Sequence, residues 1–155
     1  MAIREAVFDS PGRSRVNRRE FLLGSAAFWD FFPQCCGTPI LHGDAVRFEA
    51  RALSIDLEKA KELHRVGSAA AVVIPAYNLN IIVIRLGRHQ FAALDRSCTH
   101  NGAQCAYDNR RRTLRCTSLN HAEYDLKGTL LHGRTHGNLR SYSVRLTGSI
   151  VQIQL

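Results

Sequence analysis

The sequence predicts an all-β fold, a small sandwich or barrel, preceded by a segment that does not read as part of it. Three observations carry this. Beyond about residue 46 the chain breaks into short runs rich in β-branched residues, which fit a pleated, half-buried surface. Turn signals divide those runs at the short spacing expected of small sandwiches and barrels. Between Ser141 and Leu146, the residues Tyr142, Val144 and Leu146 alternate with Ser143 and Arg145, the period of a strand with one face buried.

In chain order, residues 1–40 read as a leader and linker, and residues 46–155 as the domain. Met1 to Asn17 is polar and dotted with arginine, without periodicity. Asn17-Arg18-Arg19-Glu20-Phe21-Leu22-Leu23 then runs into Gly24-Ser25-Ala26-Ala27-Phe28-Trp29. A basic stretch leading directly into a short apolar one has the shape of an export signal. The paired arginines followed by Phe-Leu resemble a twin-arginine signal, an address read by the export machinery. Asp30 interrupts the apolar stretch, which runs for about a dozen residues from Phe21 to Phe32, short of the roughly 20 that span a bilayer, so a signal is expected and not an anchor. A competing reading makes Phe21 to Phe32 an amphipathic helix packed on the domain or a partner. Cys35 and Cys36 read as linker cysteines, with lipid attachment left open.

Within the domain, Asp56 to Leu63 suits a short helix, with Asp56 as N-cap and Gly67 near its stop. Strands are expected at Ala70–Ile74, Asn80–Leu86, Gln90–Leu94, Arg112–Cys116, Glu123–Leu126, Leu130–Leu131, Ser141–Leu146 and Ile150–Leu155. Asn78 and Gly87-Arg88 mark hairpin-like breaks. Arg110-Arg111-Arg112 reads as a solvated hairpin tip.

The chain has 155 residues with 21 basic against 13 acidic side chains, a formal charge of +8. Its 45% hydrophobic content excludes a fully disordered chain. Beyond residue 36 there remain 16 basic and 9 acidic residues, so the basicity belongs to the domain. It reads as a docking surface for an acidic redox partner, because no groove-entering helix or base-stacking motif accompanies it and nucleic-acid binding is not expected. The five cysteines are an odd number and too few for a disulfide scaffold.

Soft metal ligands concentrate in two places, Cys98-Thr99-His100 and Cys116-Thr117-Ser118-Leu119-Asn120-His121. Thiolates and imidazoles select zinc or iron–sulfur clusters. Zinc fingers usually pair cysteines on one knuckle and histidines on the other; here each knuckle offers one of each, which suits two metal ions in a compact site. Cys98-Thr99-His100-Asn101-Gly102-Ala103, Leu114-Arg115-Cys116 and His121-Ala122-Glu123-Tyr124-Asp125-Leu126-Lys127-Gly128 together resemble a Rieske iron–sulfur domain. The resemblance continues through Leu130-Leu131-His132-Gly133 to Asn138-Leu139 and Tyr142 and covers roughly a hundred residues, an ordinary domain size. It implies a Rieske-type all-β sandwich holding a [2Fe-2S] cluster between two loops, with Cys98 and Cys116 on one iron and His100 and His121 on the other. His121 stands five residues after Cys116, where the family places its histidine after three. Aligning backwards from Tyr124-Asp125 puts Asn120 at that place, and His132 or His136 could serve in its stead. The family's loop disulfide would fall near Ala103 and Ser118, and neither is cysteine. Cys105 reads as a buried small hydrophobe or free thiol.

Histidine ligation leaves the oxidised cluster neutral, so it accepts an electron more readily than a four-cysteine cluster: ~−150 to +300 mV against ~−400 mV for plant-type ferredoxins. By resemblance Tyr124 donates a hydrogen bond to a cluster sulfur, while Ala122 stands where high-potential members carry serine, and an intermediate potential follows. The leading reading is a one-electron carrier in the periplasm or on the outer face of a bacterial cytoplasmic membrane. It would be an exported carrier or the small subunit of a periplasmic oxidoreductase, and not a complete enzyme. Its partners would be a redox protein and the twin-arginine export machinery, with peripheral membrane association left open. Competing readings are the quinol-oxidising subunit of a cytochrome bc-type complex, the ferredoxin of a ring oxygenase, and a zinc-stabilised interaction module.

Overall fold

The computed structural model describes residues 37–155 apart from His42 and Asn120. The expected leader, including Arg18, Arg19, Cys35 and Cys36, lies outside the described residues, as does the alternative ligand Asn120. Eleven strands follow: β1 (Val46–Glu49), β2 (Ala52–Asp56), β3 (Ala69–Ile74), β4 (Leu79–Arg85), β5 (Phe91–Asp95), β6 (Cys105–Asp108), β7 (Thr113–Cys116), β8 (Glu123–Tyr124), β9 (Leu130–His132), β10 (Ser141–Thr147) and β11 (Ile150–Gln154). The only helical turns among the described residues are two short 3-10 turns, Lys61–Leu63 and Pro75–Tyr77. The all-β expectation therefore holds.

The strands form a seven-stranded sheet in the order β1-β2-β11-β10-β5-β4-β3, which curls toward a barrel, and a four-stranded sheet β6-β7-β8-β9. Strand β4 explains how they share one molecule. Ile81 and Val83 pack into a core with Leu53, Ile55, Val72, Val151 and Ile153. Ile82 and Ile84 point the other way, into a second core with Leu94, Leu114, Tyr124 and the cysteines Cys98, Cys105 and Cys116. Successive strand residues face opposite sides, so a strand buried on both reads as a continuous apolar run. Ile81-Ile82-Val83-Ile84 is such a run. Tyr142, Val144 and Leu146 are half-buried between exposed neighbours, as their alternation predicts.

The predicted helix at 56–63 does not form. Asp56 ends β2, paired with Ile150 of β11, and its Oδ1 accepts the Glu58 N–H at 3.0 Å. The chain then makes one tight turn, with the Ala60 N–H on the Asp56 carbonyl at 2.9 Å, before Leu63 plugs the first core. The capping chemistry of Asp56 is real, but it caps a turn that follows a strand. Strands β1 and β2, absent from the sequence expectation, are joined through Ala50 and Arg51, both at positive φ (46° and 65°). Glycine or asparagine usually marks such a turn, and here neither does.

Among the described residues no helix is long and apolar enough to cross a membrane.

Candidate metal centre

The first ligand loop grows from the end of β5. Asp95 Oδ1 accepts the Ser97 N–H at 3.0 Å, turning the chain out of the sheet. The loop then closes on itself: the Cys98 N–H reaches the Ala103 carbonyl at 2.7 Å and the Gly102 N–H returns to the Cys98 carbonyl at 2.8 Å. Asn101 Oδ1 takes the Ala103 N–H at 2.9 Å. Gly102 adopts φ +72°, a conformation costly for residues with a Cβ. This closure buries Cys98 at 2% exposure and brings His100 back over it, with Nδ1 2.8 Å from Cys98 Sγ.

The second loop leaves β7 at Cys116, whose N–H donates to the Ala122 carbonyl at 2.8 Å. Thr117 fastens it beside the first loop, donating both its N–H and its hydroxyl to the Gln104 carbonyl, each at 2.9 Å. Ser118 Oγ stands 3.1 Å from Cys116 Sγ and 3.1 Å from His100 Nε2. A polar chain thus runs from Cys98 through His100 and Ser118 to Cys116, joining the two loops.

A third loop, between β9 and β10, covers the first two. The Thr99 hydroxyl donates to the Gly137 carbonyl at 3.0 Å. Gly133, at φ +101°, packs so closely on the second loop that a Cβ would stand 2.7 Å from Ala122 Cα.

Tyr124, fully buried on β8, places its hydroxyl 3.2 Å from Cys98 Sγ and 3.2 Å from Thr99 Oγ1. Burial pushes the Cys98 thiol up. Hydrogen bonds from the His100 backbone, the Tyr124 hydroxyl, the His100 ring and Cys116 outweigh it, and the thiol falls to about 7 from an ordinary 9.0. The tyrosine shifts the opposite way, raised first by burial and then by its bond to Cys98, so it stays protonated and donates. A pocket that favours thiolate over thiol is what a thiolate-ligated metal requires.

Of the residues expected from sequence, the structure joins Cys98, His100 and Cys116. His121 ends the second loop, with its backbone N–H on the Ser118 carbonyl at 3.1 Å, φ +44° and an exposed side chain; it takes no part in the Cys98–His100–Ser118–Cys116 chain. His132 and His136 are exposed. Cys105 is buried, as expected, but it does more than fill space: its Sγ lies within 4.8 Å of both Cys98 and Cys116 Sγ. Locating the hairpin turn between Asp108 and Thr113 would have revealed this, because the register then sets Cys105 opposite Cys116. Buried thiols from separate loops with an imidazole alongside form a donor set that fits an iron–sulfur centre.

The sequence profile of the Rieske [2Fe-2S] domain matches residues 54–143, more than half of the chain. No curated protein gives a match. Among solved structures, the ferredoxin of carbazole 1,9a-dioxygenase from Nocardioides aromaticivorans IC177 is 18% identical, with TM-score 0.51 over 61% of this chain and 89% of that one. The plasma membrane Rieske protein PetC3 of the cyanobacterium Synechocystis PCC 6803 is 23% identical, with TM-score 0.49 over 56% of this chain and 86% of that one. A quaternary ammonium Rieske monooxygenase is 17% identical, with TM-score 0.48 over 61% of this chain and 29% of that one.

Proposed function

The chain belongs to the Rieske [2Fe-2S] domain family, and on that premise we propose that it is a one-electron carrier exported to the periplasm or the outer face of a bacterial cytoplasmic membrane. A bound [2Fe-2S] cluster supplies one-electron chemistry in the ~−150 to +300 mV range. The observation that carries the reading is the convergence of Cys98, His100 and Cys116 in one hydrogen-bonded group beside Tyr124.

Each residue has a part. Cys98 and Cys116 would hold one iron, and His100, half-buried, and His121, exposed, would hold the other. The Tyr124 hydroxyl donates to Cys98 Sγ and favours the more negative, reduced state. Thr99 and Ser118 hold the loops in register. An excess of basic residues beyond residue 36, 16 against 9 acidic, favours an acidic redox protein as partner. Export rests on Arg18-Arg19 followed by Phe21-Leu22, and the carrier is free in the periplasm or the small subunit of an oxidoreductase there.

Redox titration followed by electron paramagnetic resonance tests the carrier. A reduced-state Rieske spectrum with a midpoint between ~−150 and +300 mV is expected, and a midpoint near ~−400 mV would overturn histidine ligation. Fractionation tests export. A chain carrying Arg18→Lys and Arg19→Lys should stay in the cytoplasm; one still exported defeats the twin-arginine reading.

A further inference from the structure

The cluster uses two thiols, yet the pocket holds three. Cys105 lies directly across from Cys116 in the β6–β7 pair, so the two side chains leave the same face of the small sheet. The Ser97–Gln104 bridge and the Cys105 N–H on the Arg96 carbonyl at 2.7 Å hold the Cys98 loop against that face. The three Sγ atoms consequently lie within 4.8 Å of one another, and Cys98, Cys105 and Cys116 are exposed by only 2%, 0% and 2%.

We propose that Cys98, Cys105 and Cys116 form a three-thiolate site for a single thiophilic divalent ion, zinc above all, that is mutually exclusive with the cluster. Zinc binds thiolate at about 2.3 Å in a tetrahedral shell, which sets ligand sulfurs a little under ~4 Å apart. Closing the observed triangle onto one ion therefore asks for shifts below ~1 Å of side chains already on two well-paired strands and a closed loop. His100, with Nδ1 2.8 Å from Cys98 Sγ, supplies the fourth ligand by a small ring movement. Three thiolates on one divalent cation leave a net negative charge. Arg96, itself only 6% exposed, sits beside it with Nε 3.4 Å from the Cys105 carbonyl, a buried cation suited to offset that charge.

Binding is ligand substitution: each thiol releases its proton to solvent, the ion loses its waters, and no electron moves. Because Cys98 and Cys116 serve both occupants, a chain loaded with zinc cannot hold the cluster. Cys105 is then the residue that gives zinc its advantage, since the cluster has no use for a third thiol. Metal supply during synthesis decides which form of the protein is made.

The test uses the full chain with Cys35→Ser and Cys36→Ser, so that the only remaining thiols are the three in the pocket, produced in iron-limited medium with zinc. The expected result is one zinc per chain, with an X-ray absorption shell of three sulfurs and one nitrogen. A two-sulfur shell, or no zinc, overturns the proposal. Adding Cys105→Ser should weaken zinc binding at least tenfold, and unchanged affinity also overturns it. Should that variant fail to fold, the sulfur count on the chain retaining Cys105 decides alone. The reduced-state spectrum of iron-loaded chain is read separately: a chain showing three sulfurs on zinc but never a cluster sinks the electron carrier and leaves the zinc site standing.

Discussion

The two ligand loops begin alike and end differently. The loop from Cys98 to Ala103 is closed by two backbone hydrogen bonds and an asparagine side chain within six residues, and it delivers both its cysteine and its histidine to one place. The loop from Cys116 to Ala122 is also closed, by the Cys116 N–H on the Ala122 carbonyl, and it delivers its cysteine. Its histidine does not follow. His121 is exposed in a left-handed conformation, and Leu119 stands 96% exposed, an unusual setting for an apolar side chain in a folded loop. One residue between cysteine and histidine inside a closed turn leaves the imidazole nowhere to go but over the thiol. Four intervening residues let the backbone close first and set the histidine direction afterwards.

The largest effects should come from what the loops share. Cys98→Ser or Cys116→Ser removes a buried thiol, the proposed iron ligand of its loop, and should abolish the visible colour and the reduced-state spectrum. A variant retaining both would mean that the buried thiols do not hold the cluster. The next test separates the loops. His100→Ala and His121→Ala should each eliminate the Rieske signature if, as proposed, the two imidazoles share one iron. If only His100→Ala does so, the second loop contributes no histidine at position 121, and the difference between the loops is chemical as well as geometric.

Much of this was legible in the sequence, for identifiable reasons. Strand β10 was readable because alternation leaves a mark in residue type. The grouping of Cys98, His100 and Cys116 was readable because few chemistries need thiols and imidazoles so spaced. Strands β1 and β2 were hidden by a hairpin turn built from Ala50 and Arg51. The helix expected after Asp56 was displaced because β11 pairs with β2 as far as Asp56, a tertiary claim that local propensity cannot see. Cys105 was recognised as buried, but its place beside Cys98 and Cys116 depends on the β6–β7 register, a matter of pairing and not of residue type.

Smaller effects should still distinguish the loops. Gly133→Ala forces a Cβ against Ala122 at the base of the second loop, at a φ of +101°. A cost of about 1–3 kcal/mol is expected, measured as a lower urea midpoint with unchanged slope. The first loop meets the third by a different contact, Thr99 with Gly137. Thr99→Val should therefore cost less, about 1 kcal/mol for one hydrogen bond. The reverse ranking would show that the covering loop braces the first loop more than the second.

Tyr124 gives the finest test, because it follows the second loop in sequence yet serves the thiol of the first. Tyr124→Phe keeps the buried ring and removes the donor to Cys98 Sγ, so the reduced cluster loses a stabilising bond and the midpoint should fall. A bond worth about 1.4 kcal/mol corresponds to about 59 mV for one electron. In the iron-free chain the same bond helps hold the Cys98 thiol at about 7 against an ordinary 9.0. A thiol depressed on folding contributes stability above its unfolded value and loses it as pH falls through the folded one. The iron-free wild type should accordingly lose stability between pH 9 and pH 7. Tyr124→Phe should raise the thiol, shift the thiolate ultraviolet band to higher pH and flatten that dependence. An unmoved band together with an unmoved midpoint would mean that the hydroxyl serves Thr99 alone, leaving the first loop to hold its thiolate by backbone and imidazole.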